Sequence, residues 1–249
     1  HAFGLSRSAF TLAEVLITLG IIGVVAAMTL PSLVNNYKEK ELVSRTKKLY
    51  SNVQNAVLLA QKDLGTVGDN TFLFDVSQTS AQAAQKFAKY FNGAKVCESS
   101  SQKGCSLYAY KVKFATKKTS GDDTLTDYSY TYPKIILNDG SCIQVIQQTS
   151  CYRVNENDCV QDADGNCVKD ENGNTINKIS THIDCARLII DVNGPKLPNQ
   201  YGADTYQLSV TSKKVLPPIW APYGSKSFQN ILSGNGKLEY EKYTVGAKK

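Results

Sequence analysis

Between Glu14 and Lys38 the chain runs for 23 residues without a charged side chain. A helix rises about 1.5 Å per residue, so about 20 apolar residues cross the hydrocarbon core of a bilayer. Val15 to Val34 is long enough. From Lys38 to Leu64 the character changes: Leu42, Leu49, Tyr50, Val53, Val57, Ala60 and Leu64 recur at three-and-four spacing with charges between them. That spacing gives one buried helical face, and Gly65 offers a C-terminal stop. The pattern predicts one long helix, apolar all round in its first half (10–34) and amphipathic in its second (35–64). The first half suits lipid or other helices, the second a globular head over 65–249.

Ahead of that helix, residues 1–9 (HAFGLSRSA) are polar, carry Arg7 and hold no acid. The sequence Ala9-Phe10-Thr11-Leu12-Ala13-Glu14-Val15 resembles the processing site of type IV prepilins and of type II secretion pseudopilins. The resemblance covers roughly residues 7–45. It implies that a prepilin peptidase removes 1–9 as a leader, cutting between Ala9 and Phe10, and that Phe10 is then N-methylated. Phe10 would be the first mature residue, Glu14 the fifth and Pro31 the 22nd, where many members kink. Family members usually carry Gly before the cut, where Ala9 stands here. The resemblance further implies a cytoplasmic-membrane subunit with an extracytoplasmic head. Its partners would be other pilin or pseudopilin subunits and the assembly machinery, in a cell-surface or periplasmic filament.

Glu14 draws attention without any family. An isolated carboxylate on a membrane helix is costly and needs a partner. A free Phe10 α-amine on a neighbouring subunit would supply one, and subunits docked at the wrong height would leave both charges unpaired. Alternatively Glu14 sits at the membrane interface. A third reading is an ordinary secretory signal, cut after Val25-Ala26-Ala27.

Beyond the helix, Ser80 is a candidate N-cap for a short helix over Ala81–Phe91. Strand signals follow at Leu107–Phe114, Tyr128–Leu137, Cys142–Ile146, Ala186–Val192 and Tyr206–Val210, with a last one at Leu238–Val245. Asn155–Asn177, crowded with Asn, Asp and Gly, reads as a loop. The expected architecture is α+β: a pilin-like fold whose long N-terminal helix packs on an antiparallel sheet.

The seven cysteines are Cys97, Cys105, Cys142, Cys151, Cys159, Cys167 and Cys185. No C-x-x-C occurs, and cysteines confined to loop-rich sequence suit disulfides made in an oxidising compartment. An odd count leaves at least one thiol free or paired outside the chain, and Cys97–Cys105 and Cys159–Cys167 would close short loops. The net charge of +6 is scattered in lysine pairs such as Lys47-Lys48 and Lys213-Lys214, a solvated surface more than a nucleic-acid footprint.

Catalytic signals are sparse. A His-based site would have to use His182, with Cys185 three residues on, and no nucleophile elbow, zincin motif or phosphate-cradling loop is present. No cofactor is implied, with calcium as the one candidate, at two acidic loops. In the first, Asp162, Asp164, Asn166 and Asp170 alternate oxygen donors, without the sixth-position Gly and twelfth-position Glu of an EF-hand. In the second, Asp191, Asn193 and Asp204 either share a cation or hydrogen-bond the loop to itself. The second loop, Asp191-Val-Asn-Gly-Pro through Pro198-Asn-Gln-Tyr-Gly-Ala-Asp204, also resembles one that recurs in pilin-like heads. The function implied is a structural filament subunit; the alternative is a membrane-anchored binding module that does not assemble.

Overall fold

The computed structural model describes residues 11–116, 127–129, 132–151, 153–160, 162, 167–182 and 184–244. Ala9 and Phe10, with the leader, and Asp164 and Asn166 lie outside them. Two compact units divide the chain, His1–Glu41 and Leu42–Lys249.

Helix α1 runs unbroken from Leu12 to Asp63. Among the described residues of the first unit its large apolar side chains are exposed. The most apolar 18-residue window averages a hydropathy of 2.2 and is 0% buried. Pro31 lies inside the helix, where its missing N–H leaves the carbonyl four residues back without a helical donor. In the second unit the same helix buries Thr46, Leu49, Val53, Ala56, Val57, Ala60 and Gln61, a single stripe. Leu42, Tyr50 and Leu64 pack at its margin. The helix stops as Gly65 turns to a φ of 69° and Thr66 N–H bonds the Gln61 carbonyl at 2.8 Å. Only a residue without Cβ enters that region cheaply.

Helix α2 spans Ser80–Ala88, and its cap is Thr79, one residue earlier than the sequence reading placed it. Thr79 Oγ1 accepts the Gln82 N–H while Gln82 Oε1 accepts the Thr79 N–H. This reciprocal pair satisfies two orphan donors at once, which Ser80 could not.

The central sheet has six strands in the order β1-β4-β5-β8-β9-β10, with every neighbouring pair antiparallel. These are β1 Lys95–Cys97, β4 Lys134–Ile136, β5 Cys142–Gln147, β8 Ala186–Asp191, β9 Thr205–Val210 and β10 Val215–Leu216. Side chains alternate across it. One face carries Ile135, Ile143, Val145, Leu188, Ile190, Tyr206 and Leu208, buried with the α1 stripe and with Phe74 and Phe87. The opposite face carries Lys134, Cys142, Gln144, Asp191, Thr205, Gln207 and Ser209, all buried too. Beside it lies a second apolar cluster formed by Val112, Phe114, Ala115, Cys142, Ile189 and Tyr201. Burial on both faces explains the unbroken apolar Leu188-Ile189-Ile190 at the centre of β8.

Two small sheets complete the second unit: β2 Lys111–Lys113 with β3 Asp127–Ser129, and β6 Arg153–Cys159 with β7 Asn177–His182. The Asn/Asp-rich stretch expected as a loop therefore contains strand pairing. Helix α3, Ser225–Leu232, is an element that no local sequence signal predicts. Residues 238–244 form no strand. They are anchored by Glu241 N–H on the Ala115 carbonyl and the Tyr243 hydroxyl on the Phe114 carbonyl, both at 2.8 Å, among other bonds.

Three disulfides join Cys97–Cys105, Cys151–Cys185 and Cys159–Cys167, leaving Cys142 as a buried thiol. Both short loops suggested by the sequence are closed.

Candidate functional site

At the start of α1, Thr11 and Glu14 form a closed pair. Glu14 Oε2 accepts the Thr11 N–H and the Thr11 hydroxyl, both at 2.8 Å, and Thr11 Oγ1 accepts the Glu14 N–H at 3.2 Å. This is a capping box of the Thr-x-x-Glu form, so Glu14 has a local role besides the intersubunit one expected of it. The carboxylate also lies at the helix N-terminus, where the dipole favours an anion. Two threonines further along satisfy their hydroxyls on the helix itself: Thr18 donates to the Glu14 carbonyl and Thr29 to the Val25 carbonyl, each at 2.9 Å. Polar atoms within the apolar half are thus turned inward on its own backbone, as a low-dielectric setting requires.

The second candidate is the connection from β8 to β9. Asp191 closes β8 and Asp204 precedes β9, and both are wholly buried. Asp191 Oδ1 accepts the N–H groups of Asn193 (3.1 Å) and Gly194 (2.7 Å), and its Oδ2 accepts the Tyr110 hydroxyl at 2.8 Å. Asp204 accepts the N–H groups of Asn199 and Gln200, both at 2.8 Å. Thr205 Oγ1 stands between the two carboxyls, 3.3 Å from Asp191 and 3.2 Å from Asp204. Gly194 is forced: its φ is 62°, and a Cβ there would lie 2.4 Å from the Gly140 carbonyl oxygen.

Every carboxylate oxygen of this pair already accepts a hydrogen bond. The residues form the self-bonded loop of the two sequence readings, and a cation would have to displace those donors. Among the described residues no group of three His, Cys, Asp or Glu side chains is placed to hold a metal. Asn193 donates from Nδ2 to the Leu197 carbonyl at 3.2 Å, stitching the loop across its own width. Burial, reinforced by the neighbouring Asp204, pushes the Asp191 carboxyl well above the usual range. Burial raises Asp204 to about 6 against the pull of its backbone donors. Two buried carboxyls flanking one hydroxyl titrate as a pair. When one holds a proton, Thr205 can accept from it and donate to the other.

Next to this pair lies a lysine the sequence did not single out. Lys134 is fully buried, its Nζ donates to the Tyr108 carbonyl, and it sits over the rings of Tyr110 (4.8 Å) and Tyr132 (4.9 Å). Desolvation brings its pKa down to about 8, partly opposed by Cys142 and Asp191. The Tyr110 hydroxyl links the two halves, lying 3.4 Å from the Cys142 sulfur and 2.8 Å from Asp191. Lys134, Cys142, Asp191 and Asp204 are buried, with Tyr110 and Tyr132 half-buried at their margin, so the cluster organises the covered face of the sheet.

In the first acidic stretch Asp162 is exposed, and Asp170 is committed to its own turn. Its carboxylate accepts the N–H groups of Asn172 (2.9 Å) and Asn174 (2.8 Å). Cys185 is bonded to Cys151 and so is no nucleophile beside His182.

A scan against protein-family models returns no match, and searches of curated proteins and of solved structures return none either.

Proposed function

We propose that the chain is a filament subunit of the type IV pilin or pseudopilin kind, inserted in the membrane by α1, trimmed before Phe10 by a prepilin peptidase and assembled with other subunits through that helix. One observation carries the reading. A processing-like motif lies immediately before an apolar helical stretch of membrane length that stands exposed among the described residues. Exposed apolar surface of that size needs lipid or protein against it. The disulfides fit a head exported to an oxidising compartment.

Mass spectrometry of the N-terminal peptide from the native host tests the processing. N-methylated Phe10 at the terminus is the expected result; a terminus at Met28 would mean ordinary secretion and remove the filament reading.

A second reading, an anchored module that does not assemble, is favoured by the capping box. Glu14 already has donors in its own chain and does not require a neighbour's amine. The two readings part on Glu14→Ala. If Glu14 sets register between subunits, the variant inserts in the membrane but builds no filament. If Glu14 only caps, the variant behaves as wild type, with slight fraying of the first turn.

A further inference from the structure

β5 and β8 pair directly, with Gln147 opposite Ala186, so a short turn could join them. Instead the chain leaves the sheet after β5 and returns before β8, and the neck of this excursion is pinched by Cys151–Cys185 at a Cα separation of 4.0 Å. The 33 residues inside the neck hold β6 and β7, which form a sheet of their own, stapled again by Cys159–Cys167. A lone two-stranded hairpin is marginal in water; here covalent closure limits the unfolded chain instead.

Charge divides along the same neck. Residues 152–184 contain three basic and seven acidic side chains, a net −4. The rest of the second unit contains 22 basic and 12 acidic, a net +10. Asp170 and Glu171 are exposed on the hairpin, and Glu171 makes no ion pair among the described residues. On the remainder, Lys213 and Lys214 are exposed together at the β9–β10 turn, likewise without an acidic partner among the described residues. The complement of the hairpin's charge is thus carried by the chain itself.

We infer that the disulfide-necked hairpin between Cys151 and Cys185 is an acidic docking arm whose partner is the basic surface of a second copy of this chain. An acidic arm and a lysine pair on separate parts of one polypeptide make a heterologous, head-to-tail contact that can repeat from copy to copy. Such a contact sets orientation and encounter more than raw affinity, and salt weakens it.

The test uses the full chain in detergent, and its salt and Glu171→Lys arms separate docking by the hairpin from any pairing of N-terminal helices, so the result is independent of the filament reading. Equal amounts of ¹⁴N- and ¹⁵N-labelled protein are mixed, coupled with a zero-length carbodiimide and digested for mass spectrometry. The expected products join the Asp170–Glu171 peptide of one isotope to lysine peptides of the other, those bearing Lys213 and Lys214 among them. Glu171→Lys should lower their yield by about three- to tenfold, as should salt near 0.5 M, where the Debye length falls to roughly 4 Å. Restoration of yield when Glu171→Lys is mixed with a Lys213→Glu/Lys214→Glu chain would identify the basic side. Products confined to a single isotope would mean that the arm folds onto its own body, and the inference fails. It fails equally if mixed products ignore both salt and Glu171→Lys.

Discussion

Asp191, Asp204 and Lys134 place three ionisable groups in the covered face of the sheet, and each has a price in pH. The Asp204 carboxyl titrates near 6 when folded against 3.8 when exposed, so the native state holds the proton longer than the unfolded one. Its ionisation therefore destabilises the head, and stability should fall as pH rises from about 4 through 6. Lys134 works in the opposite sense. Its folded pKa of about 8 lies below 10.5, so stability should climb between those values, by at most on the order of 3 kcal/mol. Denaturant unfolding followed across pH measures both slopes, and Lys134→Met should abolish the alkaline one while raising stability near neutrality. Asp204→Ala, by contrast, orphans the Asn199 and Gln200 N–H groups and should cost about 2–4 kcal/mol. The bonding of Asp191 and Asp204 to their own loop was legible as one of two readings; their burial as a pair and the part played by Lys134 were not. Lys134 reads as one more lysine in a basic chain, and a buried carboxyl pair depends on two loop ends that only the strand register brings together.

Strands and helices divide by how much of their packing is written locally. β5, β8 and β9 turn Ile143, Val145, Leu188, Ile190, Tyr206 and Leu208 to one face, enough for their alternation to show locally, and α1 declares its stripe by spacing alone. β6 and β7 do not: their pairing runs through Asn and Asp that favour turns when nothing else intervenes. Two disulfides supply the constraint that composition lacks. Removing the neck with Cys151→Ser/Cys185→Ser should lower stability by about 4 kcal/mol if loop closure dominates, and dithiothreitol should then affect the variant less than the wild type in unfolding midpoint. Helix α3 hides for another reason. Within SKSFQNIL only Phe228 and Ile231 among the apolar residues are buried, too few for a period to show. Its Phe228 ring meets Tyr50 and Tyr206, both at 5.1 Å, so the helix is fixed by aromatic contacts from distant sequence. Thr79→Ala isolates an element whose signal is local: loss of the capping box should cost about 1 kcal/mol in thermal unfolding.

Taken whole, the chain joins a unit with almost no internal cover to one with a doubly buried sheet. Membrane association should depend on the first alone. The double variant Ile21→Arg/Val24→Arg places two charges within the apolar run, each costing about 2.5–3.5 kcal/mol at a bilayer centre on insertion scales. Vesicle flotation should show its loss from the lipid fraction, while the disulfide-bonded head keeps its unfolding midpoint. Retention in the lipid fraction would mean that some other surface holds the protein to the membrane.

The neck at Cys151 and Cys185 also has a practical meaning. It fixes the two ends of an excursion at one short, covalently set spacing, whatever lies between them. A peptide of different length or sequence spliced between the two cysteines would meet the same footing, and the β5–β8 ladder beneath would not register the change. The head is, in effect, a socket with an exchangeable insert, on which a foreign epitope could be displayed.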